Sequence, residues 1–201
     1  MNSTTVMVIV AVVVLIVVIA LISMIVRRGR SQRLKSRFGP EYARTVQETG
    51  NRGKAEKDLE SRQRRRDQLE IKPLDPGQRE RYAREWQQVQ ADFVDAPSDA
   101  VRRADQLITQ VMRERGYPTD NFEQRSSDVS VDHPDVVEDY RAAHKISMAN
   151  RENRASTEDL RLAMKHYRSL FDDLVGKNET TRESEPAASR SERPQREGGQ
   201  S

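Results

Sequence analysis

The longest apolar stretch of the chain lies near its start: from Val6 to Val26, 21 residues, only Ser23 is polar, and the run ends abruptly at Arg27 and Arg28. At about 1.5 Å of rise per residue, a helix of that length covers the roughly 30 Å hydrocarbon layer of a bilayer. The pattern therefore predicts a transmembrane helix over 6–26 behind a short leader over 1–5. Beyond it, Gly39-Pro40 interrupts any continuing helix, because proline lacks a donor and disfavours helical backbone before it. A short helix over Glu41–Thr49 follows, ended by the turn residues 50–53. From Lys54 to Ile71 the apolar positions are only Ala55, Leu59, Leu69 and Ile71, too sparse for a core-facing stripe. Asp58 with Arg62 and Glu60 with Arg64 stand four apart, acid first, the order that supports a solvated helix. Residues 27–72 read as a basic juxtamembrane segment and charged stalk.

A denser pattern starts at Ile71-Lys72-Pro73-Leu74-Asp75-Pro76, where Asp75 is placed as N-cap and Pro76 as the first helical residue. Tyr82, Trp86, Val89 and Phe93 recur on one helical face. Ser98 is expected to cap a second helix after Pro97, with Val101, Ala104, Leu107, Ile108, Val111 and Met112 inward and Gly116 and Pro118 at its end. A loop with a turn over Asn121–Arg125 comes next. A third helix, capped by Asp132 or His133 and started by Pro134, turns Val136, Val137, Tyr140, Ala143, His144 and Met148 inward. Ser156 caps the last, whose stripe is Leu160, Ala163, Met164, Tyr167, Phe171 and Leu174. The expected fold is all-α, with a small antiparallel helical bundle over 73–175. Residues 176–201 hold no aliphatic side chain larger than alanine, so they cannot offset their ordering entropy and read as a disordered tail.

Charge orients this layout. The net charge of +3 hides a split: residues 27–72 carry 15 Lys/Arg against 7 Asp/Glu, and residues 73–175 carry 15 against 20. Arg27, Arg28, Arg30, Arg33, Lys35 and Arg37 follow the apolar run and no basic residue precedes it, which predicts an outer N-terminus and a cytoplasmic C-terminal part. The same six residues are the expected contacts with the membrane surface, since a basic side chain near anionic headgroups gains about 1 kcal/mol. A cleaved export signal is the competing reading of the run. Its length and the uncharged leader count against it.

With no cysteine in the chain, thiol nucleophiles, thiolate metal sites and disulfides are excluded. His133, His144 and His166 lack the spacing that places two ligands on one helix face. Asp132, His133, Asp135, Glu138 and Asp139 form a local acidic patch with one imidazole, read first as a helix start whose acids complement the dipole. A metal site or a general base there is the weaker reading, and with it an enzyme, a tethered hydrolase using the His133 region. No catalytic, cofactor-binding or metal residue is assigned. Arg62-Gln63-Arg64-Arg65-Arg66 has no interleaved aromatics and is diluted by neighbouring acids, so it is not read as a nucleic-acid site.

The segments RFGPEYARTV, ERYAREWQQVQADFVD, VRRADQLITQVMRERGYP, SVDHPDVVEDYRAAH and STEDLRLAMKHYRSLF together resemble a family of uncharacterised bacterial, actinobacterial-type single-span membrane proteins, often labelled hypothetical or secreted. The resemblance covers most of residues 37–174 and implies a bacterial source and an inner-membrane setting. It carries no catalytic residue, cofactor or partner. The resulting expectation is a non-enzymatic helical interaction module tethered at the cytoplasmic face, with the bilayer and an unknown protein as partners and homodimerisation left open.

Overall fold

The first helix breaks where the sequence places a break. In α1 (Ser3–Thr49) Gly39 alone leaves helical geometry, with φ 44° and ψ −123°, directly before Pro40. This is the left-handed side of backbone space, which glycine enters without steric cost. The computed structural model describes residues 3–176; most side chains before Arg28 lie outside the described set. Six helices follow: α2 (Arg52–Arg66), α3 (Pro76–Asp92), α4 (Pro97–Arg115), α5 (Phe122–Asp132), α6 (Val137–Arg151) and α7 (Thr157–Leu174), and no strand occurs among the described residues. The chain is all-α, as the periodicity predicts.

Two apolar cores organise these helices. The larger joins α3, α4, α6 and α7 through the expected stripes, and the Trp86 and Phe171 rings stack at 4.7 Å. The smaller is built from Leu34, Phe38 and Tyr42 of α1, Leu59 of α2 and Val131 of α5. Fully burying each such side chain contributes about 1.5–3 kcal/mol, so α1 beyond the apolar run is held against the body by packing as well as by charge.

The N-terminal signals act as the sequence predicts at two helices. Asp75 and Gln78 form a reciprocal capping box with Pro76 in the first turn, and Ser156 and Asp159 form another. Gly116 ends α4 at φ 97°.

Several local expectations are corrected. The segment expected to be a solvated stalk packs as α2 against α1 and α5, with Ala55 and Leu59 buried. Few apolar residues suffice because its arginines carry the rest of the contact: Arg62 reaches Glu41, Arg65 reaches Asp128 and Arg66 reaches Asp132. The stretch read as a loop and turn is α5, capped by Asn121. α4 starts behind Ala96 with no side-chain cap, so Ser98 lies inside it. Asp132 and His133 end α5 instead of starting the next helix, and α6 begins behind Val136 without a side-chain cap. The Asp132 carboxylate is held by Arg66 and Tyr117 and is not free to turn toward α6. Met148, expected inward, is exposed.

Among the described residues, no helix is long and apolar enough to cross a membrane. The run 6–26, where the spanning helix is expected, is helical in backbone while most of its side chains lie outside the described set. The tail over 177–201 lies outside it altogether.

Candidate membrane-proximal site

Helix α1 carries two different faces just past the apolar run. Leu34 and Phe38, four apart and on one side, enter the small core, while Arg28, Arg30, Arg33, Lys35 and Arg37 are exposed. The side chain of Arg27 lies outside the described set. Cα–Cβ bonds in a helix tilt toward its N-terminus, so the basic side chains lean back toward residues 6–26. In that run the described side chains Leu15, Val17, Val18, Leu21 and Met24 are all exposed, between 44% and 59%. Exposed large apolar side chains grouped in this way are the feature that marks an interaction face.

Helix α2 completes the basic region. Ser31 donates to Glu56 at 2.5 Å, and Arg30 presents Nε and Nη2 to the two oxygens of Glu60 in a side-on fork. These contacts hold α1 against α2 at Glu56 and Glu60. A groove of about 610 Å³ opens between the helices, lined by Gly29, Arg30, Arg33, Leu34, Arg37, Glu60 and Gln63. Arg64 stands at its edge, 3.9 Å from Glu60 and 70% exposed. Lys35 turns elsewhere, over the Tyr42 ring at 5.6 Å.

Three carboxylates fasten this region to the rest of the chain. Glu41, with only 1% of its side chain exposed, accepts from Arg62 Nη1 at 2.7 Å and from Arg141 Nη1 and Nη2 at 2.7 and 2.8 Å. Burial pushes its carboxyl up, but Arg141 and Arg62 outweigh burial and hold it below the usual range. Asp128, fully buried, accepts from Arg65 at 3.1 Å and from Gln124 at 2.9 Å. Asp132 accepts from Arg66 and, at 2.8 Å, from the Tyr117 hydroxyl. Of the arginine run, Arg62, Arg65 and Arg66 are thus structural ties and Arg64 faces outward. A separate contact, Glu56, accepts from Ser31, Tyr42 and Arg52. Burial raises that carboxyl and these three donors lower it by more.

The acidic patch around His133 is dispersed. His133 Nδ1 lies 2.5 Å from Asp173 Oδ2, and Arg115 Nη1 lies 3.4 Å from Nε2. A guanidinium can only donate, so both ring nitrogens are engaged and neither is presented to a substrate. Glu138 meets Arg44, and Asp139 meets His166 at 2.8 Å. His144 stacks on Phe122 with ring centres 3.6 Å apart and lies 3.8 Å from Asp105. Each histidine faces an aspartate on another helix, a clamp between elements. Among the described residues no three His, Asp or Glu side chains converge to hold a metal ion.

Reading the sequence alone misses Glu60 and Gln63 as parts of the groove and Arg64 beside it. The acid-first spacing of Glu60 and Arg64 was the available signal for that pair, since it puts both on one face. No protein-family model, curated protein or solved structure matches the chain.

Proposed function

We propose that this chain is a single-pass membrane-anchored, non-enzymatic module that holds a helical body at the cytoplasmic face of the membrane for contact with a protein partner. What supports the anchor is the sequence of residues 6–26, 21 positions with one polar residue, joined to the exposure of the five apolar side chains described within it. Surface of that kind requires a cover, and a bilayer is the cover whose thickness the run matches. What supports the cytoplasmic side is the basic set starting at Arg27.

The observation that carries the module reading is the docking of α1. Phe38 and Leu34 are buried against α2 and α5 within a helix whose backbone continues from the apolar run. A tether that only prevented diffusion away from the membrane would need no such packing. Confinement to a surface makes weak partner contacts effective, and a docked helix adds a fixed presentation of the body.

The test is topology in intact cells. A single cysteine placed near Gly198, in a chain that otherwise has none, is challenged with a membrane-impermeant thiol reagent. Labelling only after lysis is the expected result. Labelling in intact cells overturns the orientation, and recovery of a shortened mature chain in the medium overturns the anchor itself in favour of export.

A further inference from the structure

We propose that the groove between α1 and α2 binds the phosphate of an anionic phospholipid headgroup, with Arg30 as the fork that grips it and Arg33 and Arg37 as flanking charges. The inference rests on the anchored reading above and assigns that anchor a lipid-selective site. Three observations carry it. The groove opens within one to three helical turns of Val26 and is lined by three arginines, a glutamine amide and the apolar flank of Leu34. At about 1.5 Å per residue Arg30 stands about 6 Å beyond the run, within the headgroup layer that adds about 5–7 Å to each side of the hydrocarbon. Arg33 and Arg37 stand higher, at about 10 and 16 Å by the same rise, but their side chains lean toward the bilayer because the helix begins there.

The second observation is the acceptor already in place. Arg30 meets both oxygens of Glu60 side-on through Nε and Nη2, the planar, two-point geometry in which arginine also recognises phosphate. Glu60 occupies the position a phosphate oxygen pair would take. It holds the fork open and oriented, and it competes with the lipid for it.

The third is the fate of the remaining arginines nearby. Arg62, Arg65 and Arg66 are committed to Glu41, Asp128 and Asp132, whereas Arg33 and Arg37 are exposed and Arg64, at the groove's edge, keeps 70% of its side chain in solvent. At the groove itself, the basic charge left outward is that of Arg33 and Arg37, with Arg64 beside Glu60.

The experiment uses the full-length chain purified in a neutral detergent and incubated with equal amounts of phosphatidylglycerol and phosphatidylcholine, with retained lipid counted by native mass spectrometry. Phosphatidylglycerol should be retained in preference, and Arg30→Ala, Arg33→Ala and Arg37→Ala together should cut that preference, at roughly fivefold per arginine. Glu60→Gln should raise it, a change that loss of folding would not produce. Equal retention of the two lipids by the unaltered chain, or a preference indifferent to both sets of substitutions, overturns the site. Free glycerol 3-phosphate should not displace the lipid; displacement at matching concentration would make the ligand a soluble phosphate and overturn the lipid assignment. Carbonate extraction of native membranes is read alongside. A chain that resists extraction while showing no lipid preference leaves the anchor standing and removes the groove, and a chain that is extracted removes the anchor.

Discussion

The Glu41 carboxylate sits between the guanidinium groups of Arg62 and Arg141, 2.7 Å from each, and so ties α1 to two helices whose residues stand 21 and 100 positions away. Removing one partner of a buried ion pair leaves the others desolvated and uncompensated, at a cost of about 3–5 kcal/mol. Glu41→Ala should lower the unfolding free energy of the full chain in detergent, read by urea denaturation, by about that amount. Adding Arg141→Met to it should recover part of the loss, since one stranded charge is then gone. A variant as stable as the parent would show that the cluster contributes nothing net.

Acid should loosen the fold through a small number of carboxyls. Glu41 is held below its ordinary 4.5 against the opposing effect of burial, by Arg141 and Arg62. Asp105 is held below its ordinary 3.8, again against burial, by His144 and by the Tyr167 hydroxyl at 2.9 Å. Burial pushes Tyr167 far above the ordinary phenol range, so it stays a donor. Both carboxyls bind a proton more readily unfolded than folded, so their contribution is complete above the unfolded values and is lost as pH falls through the folded ones. Urea midpoints should be flat from neutral pH to about 5 and fall below about 4.5. Glu41→Gln should flatten part of that decline, and an unchanged profile would assign the acid sensitivity elsewhere.

Two glycines of similar backbone should respond differently to alanine. Gly116 has φ 97°, and a Cβ there would lie 2.5 Å from the Glu70 carbonyl oxygen, while Gly50 has φ 60° with nothing within 4 Å. The left-handed backbone costs about 1–2 kcal/mol in each case. Gly116→Ala adds displacement of the linker whose Lys72 N–H donates to the Arg115 carbonyl at 2.9 Å. Thermal denaturation should therefore show a loss of at least about 2 kcal/mol for Gly116→Ala and about 1 for Gly50→Ala. Equal losses would mean that the linker gives way without cost.

Two serines separate a real cap from an apparent one. Ser156 accepts from the Asp159 N–H in its capping box, and Ser156→Ala should cost about 1 kcal/mol. Ser98 lies within the first turn of α4, where only its backbone oxygen is used, accepting from Asn150 Nδ2. Ser98→Ala should stay within about 0.5 kcal/mol of the parent. The pair is read by urea denaturation of both variants side by side.

The helices that carry an apolar stripe were legible, and the helix that does not was missed. Asp75-Pro76, Ser156 and Gly116 act by local chemistry within a few residues, and α3, α4 and α7 follow from stripes that the structure buries. Helix α5 escapes periodicity because much of what it buries is polar: Arg125, Ser126, Asp128 and Ser130. The two serines bond back to carbonyls of α5 itself, but Asp128 and Arg125 are acceptable inside because α2 and α6 supply Arg65 and Tyr140 as partners. Such partners come from 63 and 15 positions away, and no local rule points to them. The same blindness made α2 look like a stalk. Its apolar residues are as few as they appear, and its arginines do the docking. Of the basic groove, the α1 half was legible as a run of Lys and Arg with no acid among them, while the α2 half depends on a helix pairing that periodicity cannot register.

The seating of Leu34 and Phe38 in the small core turns a question of affinity into one of reach. Were the 46 residues of 27–72 a slack cord, their ends would stand some 35–40 Å apart on average and the body would sweep a dome over the membrane. As an arm of about 18 Å between Val26 and Phe38, on the anchored reading, it sets a single altitude and azimuth. A soluble partner must then come down to that altitude with the right side forward. One embedded in the same bilayer needs only to drift sideways until the two meet.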